Sequence, residues 1–169
     1  LLVGRQELLE SLFNEADRAS ASKTPRFFLL VGGQSAGKSH LMSLLYRRIR
    51  DELSDRMIPV HLAGEEYSMF RASDFFLRVL AGMGVETRDV TALEDDLLVR
   101  EAAVERITAS AGERQVAVFV ENIHEIFGQM DRREVRALRS VFQRTDDLSV
   151  IASAPSLFPA PSMVTAGMP

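Results

Sequence analysis

The chain contains no cysteine, which excludes disulfide frameworks, zinc fingers and thiol catalysis. Nowhere does an apolar run approach the roughly 18 residues that a membrane-spanning helix requires. No charged leader precedes an apolar stretch, so nothing reads as a signal peptide. There is no internal repeat and no low-complexity segment. Basic charge is not in excess either. The net charge is -4 and the pI about 5.4, which argues against nucleic acid binding over the whole surface but leaves room for a local basic patch. Lysine is nearly missing: of 20 basic residues only Lys23 and Lys38 are lysines. What is present is 46% hydrophobic residue in 169 positions, enough for one domain with a real core and too apolar for disorder. The chain opens on Leu1 and closes in Pro159-Ala160-Pro161 and Gly167-Met168-Pro169. The expectation is a piece of a longer intracellular, cytoplasmic protein that makes no contact with a membrane.

Leu8, Leu9, Leu12, Phe13 and Ala16 recur at helical spacing and predict a helix over 6–19. The polar stretch 20–26, with Pro25, breaks it. Residues 27–31 are wholly apolar, as in a strand buried on both faces of a parallel sheet. A glycine-rich loop follows, and then a helix over 38–53. Further strands are predicted at 57–62, 116–120 and 149–152. Further helices are predicted at 73–80, with Ser73 or Asp74 as N-cap, at 93–109, ended by Gly112, and at 132–143. Strands alternating with helices mean a layered α/β fold with a parallel sheet, and the expected strand order is 2-3-1-4.

Gly32, Gly33, Gln34, Ser35, Ala36, Gly37, Lys38 and Ser39 match G-x-x-x-x-G-K-[ST] without departure, with His40 next on the helix. Each residue type has a reason. Glycines allow positive φ and turn amide N–H groups inward around a β-phosphate. The helix that follows points its N-terminus at the same anion. Lys38 supplies a point charge between the β- and γ-phosphates, and the Ser39 hydroxyl is placed to ligate Mg²⁺. The motif sits where it must, after a buried strand and before a helix. The expected ligand is therefore a nucleotide, ATP or ADP, with Mg²⁺.

A phosphate loop of this kind works with an acidic residue at the end of a neighbouring strand. Glu121, directly after the apolar run 116–120, is the candidate. It would stand at the carboxyl edge of the sheet, where open α/β sheets bind their ligands.

The whole pattern resembles the AAA+ ATPases, most closely the replication-initiator and origin-recognition branch and its bacterial relatives. The segment Leu2-Val3-Gly4-Arg5-Gln6-Glu7-Leu8-Leu9 resembles that family's opening motif, the Walker A motif at 32–39 is intact, and 148–154 resembles its sensor 1 strand. The resemblance implies a three-layer P-loop NTPase, here a truncated AAA+ core, spanning 1–169 as one ATP-binding domain. It further implies Walker B at 116–121, Val3 and Gly4 against the adenine, and Ser153, in the sensor 1 strand at 149–153, facing the γ-phosphate or attacking water. The chain stops before the family's fifth strand and helical lid, so its sensor 2 arginine and arginine finger have no candidates here.

One departure bears on chemistry. The family's Asp-Glu pair is Glu121-Asn122. Glu121 still serves Mg²⁺, with one more methylene of reach. Asn122 accepts no proton and cannot be the general base, although it can orient a water. Slow hydrolysis, or none, is the expectation. His124 replaces another commonly acidic position and reads as structural. Glu125 reads as a helix-start carboxylate, with substitution for the missing base, one helical turn on, as the alternative.

The remaining features read more plainly. Arg132, Arg136 and Arg139 share a helix face, with Arg133 beside it, as a basic stripe diluted by Asp131 and Glu134. Glu65-Glu66-Tyr67 reads as an exposed acidic loop at the phosphate-loop edge of the sheet. Met69, Phe70, Phe75 and Phe76 read as core or as a partner-facing patch. The stretch 86–96 reads as a solvated acidic loop and helix start.

The reading that emerges is an ATP-binding module of a larger protein that couples nucleotide state to conformational change or assembly. By resemblance its partners are a second copy across the ATP site, and DNA or protein engaged by regions outside this chain. The alternative is a STAND-like regulatory module in which the nucleotide is largely structural. A small-molecule P-loop kinase is a third and weaker option, because no arginine-rich lid follows.

Overall fold

The computed structural model describes residues 5–62 and 68–156. Val3, Gly4 and Glu65-Glu66-Tyr67 therefore lie outside the described residues.

Four parallel strands form one sheet: β1 (Phe27–Val31), β2 (Met57–Leu62), β3 (Gln115–Val120) and β4 (Leu148–Ala154). Their order is β1-β4-β3-β2. This corrects the expected 2-3-1-4, which put β1 between β3 and β4. Phe27 pairs with Val150, and Val116 with Leu148, so β4 takes the interior place and β1 the end. β4 carries two polar residues, Ser149 and Ser153, into that interior place. Both serines are nonetheless buried, because each hydroxyl accepts a backbone N–H from a neighbouring segment. Arg26 N–H lies 3.0 Å from Ser149 Oγ, and Asn122 N–H lies 3.1 Å from Ser153 Oγ. A satisfied hydroxyl removes the penalty of burying it. The end strand leaves Phe27 and Val31 exposed at 43% and 44%.

Alternation along the strands divides the core into two layers. On one face, α1 (Gln6–Ser22) and α2 (Lys38–Glu52) bury Leu12, Phe13, Leu41, Met42, Leu45 and Ile49 against Phe119 and Ile151. On the other, α3 (Ala72–Gly82), α5 (Asp96–Ala111) and α7 (Arg132–Arg144) pack Phe75, Phe76, Val79, Ile107 and Leu138 against Val118, Val120 and Val150. Met69, Phe75 and Phe76 are thus core, while Phe70 stands exposed at 61%.

Carboxylates fasten the starts of α3, α5 and α7, with one change from expectation. Neither Ser73 nor Asp74 is the N-cap of α3; Arg71 is. Asp74 lies a turn inside, and its carboxylate accepts the N–H groups of Phe70 and Arg71 at 3.0 and 2.9 Å. The same hydrogen-bonding capacity that suggests a cap serves here from the third helical position. Asp95 caps α5 through Leu97 and Leu98 N–H, and Asp131 caps α7 through Arg133 and Glu134 N–H. The acidic stretch 86–96 is not wholly loop. It holds a one-turn helix, α4 (Arg88–Thr91), fastened by Arg106 to Asp89 at 2.7 Å. A further short helix, α6 (Ile123–Gln129), leaves β3 directly.

Candidate functional site

The loop 32–37 leaves the end of β1 and turns into α2. Gly32 N–H reaches the Ala154 carbonyl at 3.3 Å, and Ala36 N–H reaches the Gly33 carbonyl at 3.2 Å. Gly37, the residue before α2, has φ +76, and Ser35 has φ 63. A side chain at Gly37 would be strained by that φ, and its Cβ would lie 3.4 Å from Arg5 Nη1. Among the described residues no side chain caps α2, and no acidic residue occupies its first turn. Its leading N–H groups and positive dipole end are therefore directed at the loop.

Lys38 folds back over this turn, with Nζ donating to the carbonyls of Gly32 at 2.6 Å and Gly33 at 3.0 Å. Ser39 donates its hydroxyl to Glu121 Oε2 at 2.7 Å. Glu121 follows β3 at the carboxyl edge, and its other oxygen, Oε1, lies 3.5 Å from His61 Nε2. Two oxygen donors, the Ser39 hydroxyl and the Glu121 carboxylate, thus stand together beside the phosphate loop. That donor set fits a hard cation such as Mg²⁺.

Asn122 adopts a left-handed conformation, φ 50 and ψ 46, as it turns from β3 into α6. Its N–H donates to Ser153 Oγ, so Ser153 accepts from the Glu121–Asn122 junction and retains its own proton for donation. The left-handed turn is a backbone role that asparagine fills at low cost among residues with a side chain. Gln34, Ser35 and His40 are exposed, and Gly33 has open space where a Cβ would stand. The sequence-predicted residues of the loop, with Lys38, Ser39, Glu121, Asn122 and Ser153, are therefore gathered at one end of the sheet.

Three neighbours were not among the predicted site residues. Arg5 reaches Gly37 from the residue before α1. His61 stands on β2 opposite Phe119. Tyr46 of α2 meets both His61 and Phe119 edge-on, with ring centroids 6.2 and 5.4 Å apart. A signal for His61 existed, since it is the one charged-capable residue in the otherwise apolar strand Met57–Leu62.

The arginine stripe lies elsewhere, on α7 across the sheet from α1 and α2. Arg132, Arg133 and Arg136 are exposed there. Glu134 of the same helix accepts Ala72 N–H through its carboxylate at 2.8 Å.

No protein-family model matches this sequence, and no curated protein matches it. Solved structures do. The chain is similar to the ORC2 protein of Aeropyrum pernix, determined as ADPNP–ADP complexes, with TM-score 0.69 and 11% identity over 92% of this chain and 42% of that one. It is similar to ORC1 of Aeropyrum pernix in complex with DNA, with TM-score 0.71 and 17% identity over 93% of this chain and 40% of that one. Cdc6p of Pyrobaculum aerophilum gives TM-score 0.66 and 8% identity over 92% and 40%. This chain therefore spans about two fifths of their length. At these identities the likeness shows the fold, a parallel α/β sheet like that of AAA+ P-loop ATPase domains.

Proposed function

We propose that this chain binds ATP or ADP with Mg²⁺ as the nucleotide-binding module of a larger AAA+-type protein. The observation that carries the reading is the assembly of an uncapped helix N-terminus, the Lys38 ammonium and the Ser39–Glu121 pair around one glycine loop. On binding, phosphate oxygens replace the Gly32 and Gly33 carbonyls as acceptors for Lys38. The loop and helix N–H groups hold the β-phosphate. Ser39 and Glu121 would hold Mg²⁺, which neutralises charge on the phosphates.

Hydrolysis is slow in this reading. Asn122 accepts no proton, so no carboxylate base follows Glu121. Ser153 and Asn122 orient a water without deprotonating it. Nucleotide state then governs conformation or assembly of the parent protein, including contact with a second copy across the site. DNA or a protein partner is engaged by regions beyond this chain, in the cytoplasm. Among the described residues no helix is long and apolar enough to cross a membrane. The missing base also favours a second reading, a STAND-like module whose nucleotide is structural.

Calorimetric titration with ATP and ADP, with and without Mg²⁺, tests the proposal. Micromolar binding strengthened by Mg²⁺ is expected, and absence of binding under every condition would refute it. Release of bound nucleotide over many hours without turnover would favour the STAND-like reading.

A further inference from the structure

We propose that His61 is a ligand of the nucleotide-bound divalent ion and that the site therefore favours a first-row transition ion, such as Mn²⁺ or Co²⁺, over Mg²⁺. The inference rests on the nucleotide reading above and adds to it a residue and an ion preference.

The geometry begins with the sheet. Val60 and Leu62 point into the core on the α3 side, so alternation turns His61 to the α2 face. The β2–β3 register sets His61 against Phe119, two positions before Glu121 on the same face. His61 Nε2 is 3.5 Å from Glu121 Oε1, while Oε2 takes the Ser39 hydroxyl at 2.7 Å. The imidazole–carboxylate spacing is longer than an N–H···O hydrogen bond of about 2.7–3.2 Å. It is close to the roughly 3.0–3.4 Å between two donors that share one ion at about 2.1 Å from each. Tyr46 holds the imidazole edge-on and is itself seated on Phe119. The His61 side chain is 41% exposed and that of Glu121 25%, so an ion arriving from solvent meets both.

Three elements thus offer a mixed donor set: the Ser39 hydroxyl from α2, the Glu121 carboxylate after β3 and the His61 imidazole from β2. Mg²⁺ takes oxygen ligands and keeps its waters, so it gains little from imidazole. Transition ions accept nitrogen and oxygen together, with affinity rising from Mn²⁺ to Co²⁺. Among the described residues no three His, Cys, Asp or Glu side chains converge on one point. Phosphate oxygens must therefore complete the shell, and ion binding is coupled to nucleotide binding.

The test is calorimetric titration of ADP in the presence of Mg²⁺, Mn²⁺ or Co²⁺, and with no metal, into the wild-type chain, His61→Ala and His61→Gln. ADP itself favours transition ions, so the informative quantity is the ratio of wild-type to variant affinity for each ion. Both variants are expected to lose roughly tenfold or more with Mn²⁺ and Co²⁺, with a much smaller change for Mg²⁺ and for metal-free ADP. His61 is half-exposed and belongs to neither core layer, and metal-free ADP affinity controls for loss of the fold. Electron spin-echo spectroscopy of the Mn²⁺–ADP complex should show imidazole nitrogen coupling in the wild type that is absent from both variants. Equal losses with all three ions, or no nitrogen coupling, would overturn the role of His61 and leave nucleotide binding standing. Failure of ADP to bind under any condition would overturn both.

Discussion

Ser39 on the first turn of α2 and Glu121 after β3 are 82 positions apart in the chain, yet hydroxyl and carboxylate share a 2.7 Å hydrogen bond. One residue belongs to the phosphate-loop motif and the other directly follows β3 (Gln115–Val120). Their pairing joins two motifs that sequence can only place side by side, and it puts the oxygen donors of a cation site next to the N-terminus of α2.

Lys38→Ala should weaken nucleotide binding while leaving the fold intact, because Lys38 donates to the loop carbonyls of Gly32 and Gly33 and lies outside both core layers. A charge-assisted hydrogen bond is worth about 1.5–3 kcal/mol, so the loss should be roughly ten- to a hundredfold in Kd. Calorimetry measures it, and circular dichroism checks the fold. Unchanged affinity would remove Lys38 from the phosphate site.

Glu121→Gln should impair Mg²⁺-dependent ADP binding more than Mg²⁺-free binding. The amide keeps the size of the side chain and an acceptor for Ser39, but removes the negative charge that attracts the cation. Titrations at several Mg²⁺ concentrations separate the two effects. Equal losses with and without Mg²⁺ would put Glu121 outside the metal site.

Asn122 occupies a left-handed backbone conformation, and this gives its replacement a signature in stability. Asn122→Gly should be tolerated, whereas Asn122→Ala should be less stable than the glycine variant by about 1 kcal/mol. Turnover in Asn122→Ala should be no faster than the slow wild-type level. Denaturant unfolding measures the first expectation and phosphate release the second. Fast wild-type turnover that survives in the alanine variant would contradict the proposed slow hydrolysis.

Ser153→Ala leaves Asn122 N–H without its acceptor in a partly buried place. The expected cost is about 1–3 kcal/mol of stability, together with a loosened Glu121–Asn122 turn. Thermal unfolding reports the first. Slower exchange in wild type than in the variant at the Asn122 amide would report the second.

The Arg106 guanidinium, hydrogen-bonded to Asp89, holds that carboxyl below the usual carboxylate range. A depressed folded-state value means that the pair stabilises α4 above the ordinary carboxylate pKa. That contribution is lost as pH falls through the lowered value. Residues 88–91 should therefore loosen in acid before the core does, as amide chemical shifts can follow. Arg106→Ala should abolish this early step, and its persistence would assign the step to another group.

Much of the site was legible in residues 32–39, because a phosphate loop is built from contiguous backbone and its residue types each answer a local demand. The strands were legible for a similar reason, since a wholly apolar run such as 27–31 is explained by burial alone. Strand order was not. Pairing depends on which strand completes another's ladder, and β1 and β4 meet across more than a hundred residues. His61 and Tyr46 escaped notice because their relation to Glu121 arises only when β2, β3 and α2 meet.

By itself, then, the sequence determined the alternation of strands and helices, the phosphate loop, the carboxylate after β3 and the lack of a second carboxylate at Asn122. Each is a matter of local residue chemistry or of periodicity along one element. The tertiary structure alone decided that β4 lies between β1 and β3, that Ser153 bonds the Asn122 backbone, and that His61 faces Glu121. These are contacts between segments distant in the chain, set by the ladder hydrogen bonds and by the packing of α2 against the sheet.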